Sequence, residues 1–130
     1  MPYRALFVDD QEVILVAMRK FFTSRGFEVD CATELEQARR FLDSHKYELV
    51  ITDLRLTSAQ AAEGLEVVKK VRSVSPDAGV IMLTAYGSPE IVIEAARQGV
   101  DILLHKPQPL KEIVRVAQEL LDARKSEREA

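Results

Sequence analysis

The 130-residue chain lacks the features that mark secreted and membrane-bound proteins. Its single cysteine, Cys31, excludes an internal disulfide framework and indicates a reducing compartment. No apolar run approaches the roughly 20 residues of a membrane span, and the N-terminus lacks the apolar segment of a signal peptide. The net charge of −3 provides no basic field for nucleic acid or anionic lipid. We therefore expect a cytoplasmic domain without direct nucleic-acid or membrane contact.

The composition is that of one compact domain. Hydrophobic residues make up 47% of the chain and charged residues 30%, which allows an ample core at this length. The sequence shows no internal repeat, low-complexity block or interdomain linker. We expect residues 1–125 to form one domain and residues 126–130 to form a charged C-terminal tail.

Short apolar segments alternate with longer segments of helical period. Three of the short ones, ALFV, LVI and VIML, are continuously apolar, as expected for strands covered on both faces. Strand–helix alternation of this length implies right-handed parallel crossovers, so the sequence predicts an α/β fold with an open, doubly wound parallel sheet. The predicted strands are Ala5–Asp10, Phe27–Ala32, Glu48–Asp53, Gly79–Ala85 and Val100–Lys106.

Two predicted helices begin with recognisable capping residues. Thr33 and Glu36 have the spacing of a capping box at the start of the second helix. Ser88 followed by Pro89 predicts an N-cap and a proline at the first position of the fourth helix.

Polar residues stand at the ends of four predicted strands: Asp9 and Asp10, Asp53, Thr84, and Lys106. In an open α/β sheet, ligands bind beyond this edge. Clustered carboxylates suit Mg²⁺, while a threonine hydroxyl and a lysine ammonium suit a phosphoryl group. Asp53 can then act as the nucleophile, because phosphoryl transfer needs mainly positioning and charge neutralisation. Each residue alone has an ordinary explanation as a cap, turn or strand residue, but their joint placement favours a phosphoryl-transfer site.

At these residues the sequence resembles the receiver domain of two-component response regulators, over nearly its whole length. The motifs are FVDD, VITDL, MLTAYGS and LLHKP. The resemblance implies a flavodoxin-like fold: a five-stranded parallel sheet of order 2-1-3-4-5 flanked by five helices. It also implies, together with the tight turn after the last strand, a cis peptide bond between Lys106 and Pro107.

The resemblance further implies a phosphoacceptor signalling domain rather than an enzyme that turns over an external substrate. A sensor histidine kinase or phosphotransfer protein would phosphorylate Asp53 in a Mg²⁺-dependent reaction, and the domain would catalyse its own phosphoryl transfer and slow autodephosphorylation. Phosphorylation would change the partner-binding face of the fourth helix, fifth strand and fifth helix, through which a homodimer is possible.

The resemblance also implies a ligand set. Asp10, Asp53 and the backbone carbonyl of Arg55 would coordinate Mg²⁺ directly, and Asp9 would act through water. Thr84 and Lys106 would bind the phosphoryl group.

Two departures from the receiver pattern affect these expectations. Leu103 stands where receivers usually carry an aromatic residue that responds to the threonine. Gly64 follows Asp53 by 11 positions, a longer interval than is usual, and no proline lies between them. We expect Leu103 to respond weakly to phosphorylation, and Tyr86 and the loop after Asp53 to carry more of the response. We also expect Arg55 and Tyr86 to shield the aspartyl phosphate from water.

Three other functions are weighed against this interpretation. A phosphatase of the haloacid-dehalogenase type needs a second aspartate two positions after its nucleophile, where this chain has Arg55. A nucleotide-binding Rossmann domain needs a glycine-rich turn after the first strand, which is missing. An interaction module that has lost phosphorylation would not need the complete set of site residues. His45 lies in a charged helix end, and His105 lies beside Lys106 without a second ligand-like histidine nearby, so both histidines are expected to be structural or solvated.

Overall fold

The computed structural model describes residues 2–54, 63–85 and 87–129. Within them, five strands and five helices alternate along the chain. The strands are β1 (Arg4–Val8), β2 (Glu28–Ala32), β3 (Leu49–Asp53), β4 (Gly79–Thr84) and β5 (Ile102–His105). The helices are α1 (Glu12–Thr23), α2 (Leu35–Ser44), α3 (Glu63–Val74), α4 (Pro89–Gln98) and α5 (Leu110–Glu129).

The strands form a single sheet in the order β2-β1-β3-β4-β5, and every neighbouring pair is parallel. Phe7 on the central part of β1 lies opposite Cys31 of β2 on one side and Ile51 of β3 on the other. This confirms the predicted fold class and strand order. Each predicted strand overlaps the observed one, and the bounds differ by at most two residues.

Alternate residues of the strands belong to two separate hydrophobic layers, one on each face of the sheet. One layer packs against α1 and α5, and the other packs against α2, α3 and α4. On β1, Phe7 points into the first layer and Leu6 into the second, and both are fully buried. Because both faces are covered, the strands carry the continuous apolar runs seen in the sequence.

The start of α4 agrees with the prediction, and the start of α2 does not. The Ser88 hydroxyl accepts a hydrogen bond from the Ile91 backbone N–H at 3.3 Å, and Pro89 is the first residue of α4. The predicted capping box of Thr33 and Glu36 is wrong. The N-cap of α2 is Glu34, so the third residue of the helix is Gln37, and its side-chain oxygen accepts the Thr33 backbone N–H at 2.8 Å.

Helix α5 continues to Glu129, so the backbone of residues 126–129 is helical. The separation of residues 126–130 as a tail stays a prediction. Among the residues that the structure describes, no helix is long and apolar enough to cross a membrane.

Candidate functional site

The sheet order brings the sequence-predicted site residues to one edge. Asp9 directly follows β1, Asp53 is the last residue of β3, Thr84 is the last of β4, and Lys106 directly follows β5. Strands β1, β3, β4 and β5 are consecutive neighbours and all parallel, so their carboxyl ends lie side by side. The site therefore follows from topology, since residues up to 97 positions apart in the chain meet there.

Lys106 joins two of the carboxylates. Its ammonium Nζ donates a hydrogen bond to Asp53 Oδ2 at 2.9 Å and another to Asp9 Oδ2 at 3.0 Å. The side chains are mostly buried, with exposed fractions of 20% for Lys106, 13% for Asp53 and 3% for Asp9. Ion pairs in such a partly desolvated position are less screened by water and salt than surface pairs are.

The two carboxylates keep the lysine protonated. Partial burial of the ammonium acts to lower its pKa, but the hydrogen bonds from Lys106 to Asp53 and Asp9 and their negative charges outweigh this effect. The pKa of Lys106 is therefore raised above its ordinary value. The group is a permanent cation at neutral pH, as is required of a residue that is to hold an anionic oxygen.

Asp9 is anchored through both of its carboxylate oxygens. Oδ1 accepts the backbone N–H of Gln11 at 2.9 Å, and Oδ2 accepts the Lys106 ammonium. The Asp9 backbone N–H in turn donates to the carbonyl of Ala32 at 3.0 Å, which ties the end of β1 to the end of β2. The neighbouring Asp10 is exposed. The acidic pair thus divides into one buried, fixed carboxylate and one that faces solvent.

Asp9, Asp10 and Asp53 are suited to a hard divalent cation. One carboxylate oxygen from each lies within 4.8 Å of the others. Three carboxylates and one ammonium leave a formal excess of two negative charges in this cluster, which a divalent cation can offset. Carboxylate oxygens in a small number, with space for water, are the donors that Mg²⁺ prefers. The residues present fit the predicted ion, although Arg55, whose carbonyl was predicted as a further ligand, lies outside the described residues.

Thr84 is the most buried of the predicted phosphoryl-binding residues, with 1% of its surface exposed. Its carbonyl accepts the backbone N–H of Lys106 at 2.8 Å, and it lies opposite His105 in the β4–β5 register. The backbone of the lysine is thereby fixed to the strand that carries the threonine. The residue before it, Leu83, lies opposite Asp53 in the β3–β4 register.

Gly64 is a residue of the site whose importance the sequence did not reveal. A β-carbon built on Gly64 would lie 2.1 Å from the carbonyl oxygen of Asp53 and 2.8 Å from the Cα of Leu54. The Gly64 backbone N–H donates to the Leu54 carbonyl at 2.8 Å. The first turn of α3 therefore lies directly on the chain that leaves Asp53. The interval between Asp53 and Gly64 was noticed in the sequence, but spacing alone does not reveal a contact.

Other sequence expectations around the site have mixed outcomes. The cis peptide between Lys106 and Pro107 is confirmed. Leu103 is partly buried and packs against the layer of α2, α3 and α4. Arg55, Tyr86 and the loop 56–62 lie outside the described residues, so the predicted shielding of the aspartyl phosphate and the predicted loop response stay predictions.

Comparison with known proteins places the chain in a family. Residues 5–118 match the family described as the response regulator receiver domain. This match covers most of the chain, and the chain belongs to that family. Receiver domains are phosphoacceptor signalling domains, and the acidic cluster with its lysine occupies the edge of the sheet where the sequence placed the phosphoacceptor. The haloacid-dehalogenase and Rossmann interpretations are therefore set aside.

Curated relatives are longer than this chain. The transcriptional regulatory protein GlrR of Escherichia coli (strain K12) is 35% identical over 106 residues, which cover 82% of this chain and 23% of that protein. The photosynthetic apparatus regulatory protein RegA of Rhodobacter capsulatus is 29% identical over 108 residues, covering 83% of this chain and 57% of that protein. The chain thus spans from about a quarter to just over half of the length of these relatives.

Solved structures share the fold. A receiver domain protein (CheY-like) from Methanospirillum hungatei JF-1 superimposes with a TM-score of 0.90 at 24% identity, covering 98% of this chain and 99% of that one. A response regulator from Burkholderia pseudomallei, solved with a phosphorylated aspartic acid, a calcium ion and citrate, superimposes with a TM-score of 0.81 at 25% identity. That alignment covers 97% of this chain and 72% of the other.

Proposed function

We propose that Asp53 accepts a phosphoryl group from a phosphohistidine on a sensor histidine kinase or phosphotransfer protein. The observation that carries this proposal is the Lys106 ammonium, which lies 2.9 Å from Asp53 Oδ2 and 3.0 Å from Asp9 Oδ2. The partly exposed carboxylate of Asp53 is the nucleophile, and two further carboxylates lie beside it. The Lys106 ammonium against Asp53 supplies a positive charge that can neutralise the incoming phosphoryl group. The Burkholderia pseudomallei relative, described with a phosphorylated aspartic acid, supports the same chemistry here.

Each residue of the cluster has one task in this transfer. A carboxylate oxygen of Asp53 attacks phosphorus, and the bond between phosphorus and the donor's histidine nitrogen breaks as the new bond forms. Lys106 passes from the carboxylates to a phosphoryl oxygen, and the Thr84 hydroxyl donates to another. Asp9, Asp10 and Asp53 would hold Mg²⁺, with the Arg55 carbonyl as a further proposed ligand. When bound, Mg²⁺ would offset repulsion between the carboxylates and the incoming phosphoryl group.

This chain has a surface beside Asp53 that is suited to bind the protein that donates the phosphoryl group. A largely apolar groove of about 540 Å³ lies between α1 and the start of α5, and Lys106 is part of its wall. Val13 of α1 lines this groove and is 83% exposed, and Pro107 and Leu110 line the opposite side. An exposed apolar patch joined to a reactive residue suits a protein partner. We assign this groove to the phosphohistidine-bearing protein, because the donor must reach Asp53 from the same edge.

We propose that phosphorylation changes the partner-binding face formed by α4, β5 and α5. On α4, Val92 and Ile93 are 43% and 54% exposed, so this face has apolar residues available for a partner. A homodimer through this face stays a prediction. Sedimentation velocity with and without Mg²⁺ and beryllofluoride, a mimic of the phosphoryl group, tests it. The cytoplasmic location expected from the single cysteine and the proposed slow autodephosphorylation also stay predictions.

Phosphorylation by a small donor tests the chemistry directly. The protein is incubated with acetyl phosphate and Mg²⁺, and intact mass spectrometry should show one added phosphoryl group. Asp53→Ala should lose this adduct, and removal of Mg²⁺ with a chelator should abolish it in the wild type. Asp77→Ala is the matched control, because Asp77 is exposed and its contact with Arg124 uses only the backbone carbonyl. An adduct of equal yield on Asp53→Ala would overturn the proposal.

A further inference from the structure

His105 lies directly against the backbone of the loop that follows Thr84. A β-carbon built on Gly87 would lie 2.2 Å from His105 Cε1 and 3.0 Å from Nδ1. Only a residue without a side chain can approach the imidazole ring this closely. The ring and the Gly87 backbone are therefore in contact, and neither can move far toward the other.

This contact lies a short distance along the chain from the buried threonine. Thr84 ends β4, Ser88 is the N-cap of α4, and α4 begins at Pro89. Four residues, 85–88, therefore connect the buried threonine to the helix. Across the sheet, His105 lies opposite Thr84 in the β4–β5 register. His105 is thus paired with Thr84 through its backbone and in contact with Gly87 through its ring, so it touches the chain on both sides of residue 86.

We propose that His105 is a positioning residue that couples the state of Thr84 to the start of α4, through the contact between its imidazole ring and Gly87. The inference rests on the proposed function, since it takes the phosphoryl group on Asp53 as the event that displaces Thr84. His105 is exposed, so its ring is also accessible to a partner that approaches β5. The ring is rigid and flat, and it changes orientation as a unit when the loop moves.

The two histidines of the chain provide the probe and its control in one sample. The imidazole Cε1–H resonances are recorded by NMR with and without Mg²⁺ and beryllofluoride, together with the backbone amides. The resonance of His105 should shift. That of His45 should stay in place, because His45 follows α2 and precedes β3 and so lies at the opposite edge of the sheet.

Three variants separate positioning from simple packing. In Gly87→Ala the new methyl group has to push the ring away, and the His105 shift should be lost. This change leaves the backbone unstrained, because among the described residues only Gly26 and Gly99 have positive φ. In His105→Ala the response of the α4 amides, from Glu90 onward, should fall, and His105→Phe should restore it because the ring is retained. The midpoints of unfolding of all three variants should stay close to that of the wild type.

The NMR response to beryllofluoride distinguishes a failure of the His105 coupling from a failure of the phosphoacceptor function. Shifts of the Asp53 and Thr84 amides show that beryllofluoride has bound at the site. If those amides shift while His105 stays in place, or if His105→Ala shows the full α4 response, the coupling is overturned and the phosphoacceptor function stands. If the Asp53 and Thr84 amides do not respond, the phosphoacceptor proposal fails and the coupling fails with it.

Discussion

The backbone of Gly64 lies against the carbonyl oxygen of Asp53, where a β-carbon would approach to 2.1 Å. The neighbouring atoms are backbone atoms of Asp53 and Leu54, which cannot move aside as the end of a flexible side chain can. The close approach also allows the hydrogen bond from the Gly64 N–H to the Leu54 carbonyl. The start of α3 is thus packed against the backbone of Asp53 and Leu54, so this contact restricts the direction in which the chain leaves Asp53.

Gly64→Ala should therefore impair both the fold and the chemistry. Overpacking of this kind costs roughly 1–3 kcal/mol of unfolding free energy, and displacement of Asp53 should slow phosphorylation by acetyl phosphate. Gly26→Ala is the matched control, since Gly26 has φ of +89° with nothing within 4 Å of its β-carbon position. That change costs about 1–2 kcal/mol through backbone strain, but it should leave the phosphorylation rate unchanged. Equal rates in the two variants would argue against a role for Gly64 at the site.

Removal of one carboxylate from the cluster should stabilise the protein when Mg²⁺ is absent. Asp10→Asn relieves repulsion among three carboxylates that lie within 4.8 Å of one another. The expected gain in unfolding free energy is about 0.5–1 kcal/mol, because Asp10 is exposed and water screens its charge. The stabilisation that Mg²⁺ gives the wild type should shrink in this variant.

Urea denaturation with Mg²⁺ and with a chelator measures both effects. Asp43→Asn serves as the control, because Asp43 is an exposed aspartate that pairs with Lys70 away from the cluster. An Asp10→Asn protein that is less stable than the wild type in chelator, or that keeps the full Mg²⁺ response, would contradict the electrostatic account.

The stability that Lys106 contributes should depend on pH in a defined direction. Its pKa in the folded protein is raised above the ordinary value of 10.5 by Asp53 and Asp9, whose effect exceeds that of partial burial. A raised lysine pKa means that the stabilisation is fully present below the unfolded-state pKa and is lost as pH rises through the folded-state value. At neutral pH, Lys106→Met should lower the unfolding free energy by roughly 1–3 kcal/mol.

The difference in unfolding free energy between wild type and Lys106→Met is the quantity to follow. It should stay constant from about pH 7 to about pH 9 and shrink only above the ordinary lysine pKa, which is 10.5. Other groups that titrate in this range act on both proteins and cancel in the difference. A difference that decreases between about pH 7 and pH 9 would show that the raised lysine pKa is wrong.

The groove between α1 and α5 should matter for a protein donor and not for a small one. Val13→Glu places a charge on the apolar wall that is proposed to meet the phosphohistidine-bearing partner. Transfer from a phosphorylated sensor kinase that acts on the wild-type chain should slow, while phosphorylation by acetyl phosphate should be unaffected. Val92→Glu is the control, since Val92 is 43% exposed on α4, outside the groove. If the two substitutions slow phosphoryl transfer from the kinase equally, the groove is not the binding surface for the phosphohistidine-bearing protein.

The fold was predictable because its pattern is redundant. Five apolar strands with helical segments between them leave few topologies, and Ser88 followed by Pro89 marked the start of α4 correctly. The predicted capping box of Thr33 and Glu36 is wrong because the N-cap is Glu34, one residue later than predicted. The third helical residue is therefore Gln37 rather than Glu36, and the Gln37 side chain accepts the Thr33 backbone N–H. Local signals of this kind predict the presence of a helix more reliably than they predict its first residue.

The site was predictable as a set of residues but not as a set of contacts. The position of Asp9, Asp53, Thr84 and Lys106 at strand ends was sufficient to bring them to one edge. That Lys106 bridges Asp9 and Asp53 depends on side-chain directions, which the sequence pattern does not determine. The contact between His105 and Gly87, like that between Gly64 and Asp53, depends on close backbone approach, and a glycine in a sequence gives no partner for such an approach.

The central claim is that Asp53, rather than Asp9 or Asp10, carries the phosphoryl group, and one chemical labelling measurement tests it most directly. The protein is phosphorylated with acetyl phosphate and Mg²⁺ and then treated with borohydride, which reduces an aspartyl phosphate to homoserine. Peptide mass spectrometry then locates the reduced residue. The account predicts homoserine at position 53 alone, since Asp53 is the partly exposed carboxylate held by Lys106 while Asp9 is buried and anchored through both oxygens. Homoserine at position 9 or 10, or phosphorylated protein without homoserine at position 53, would contradict it.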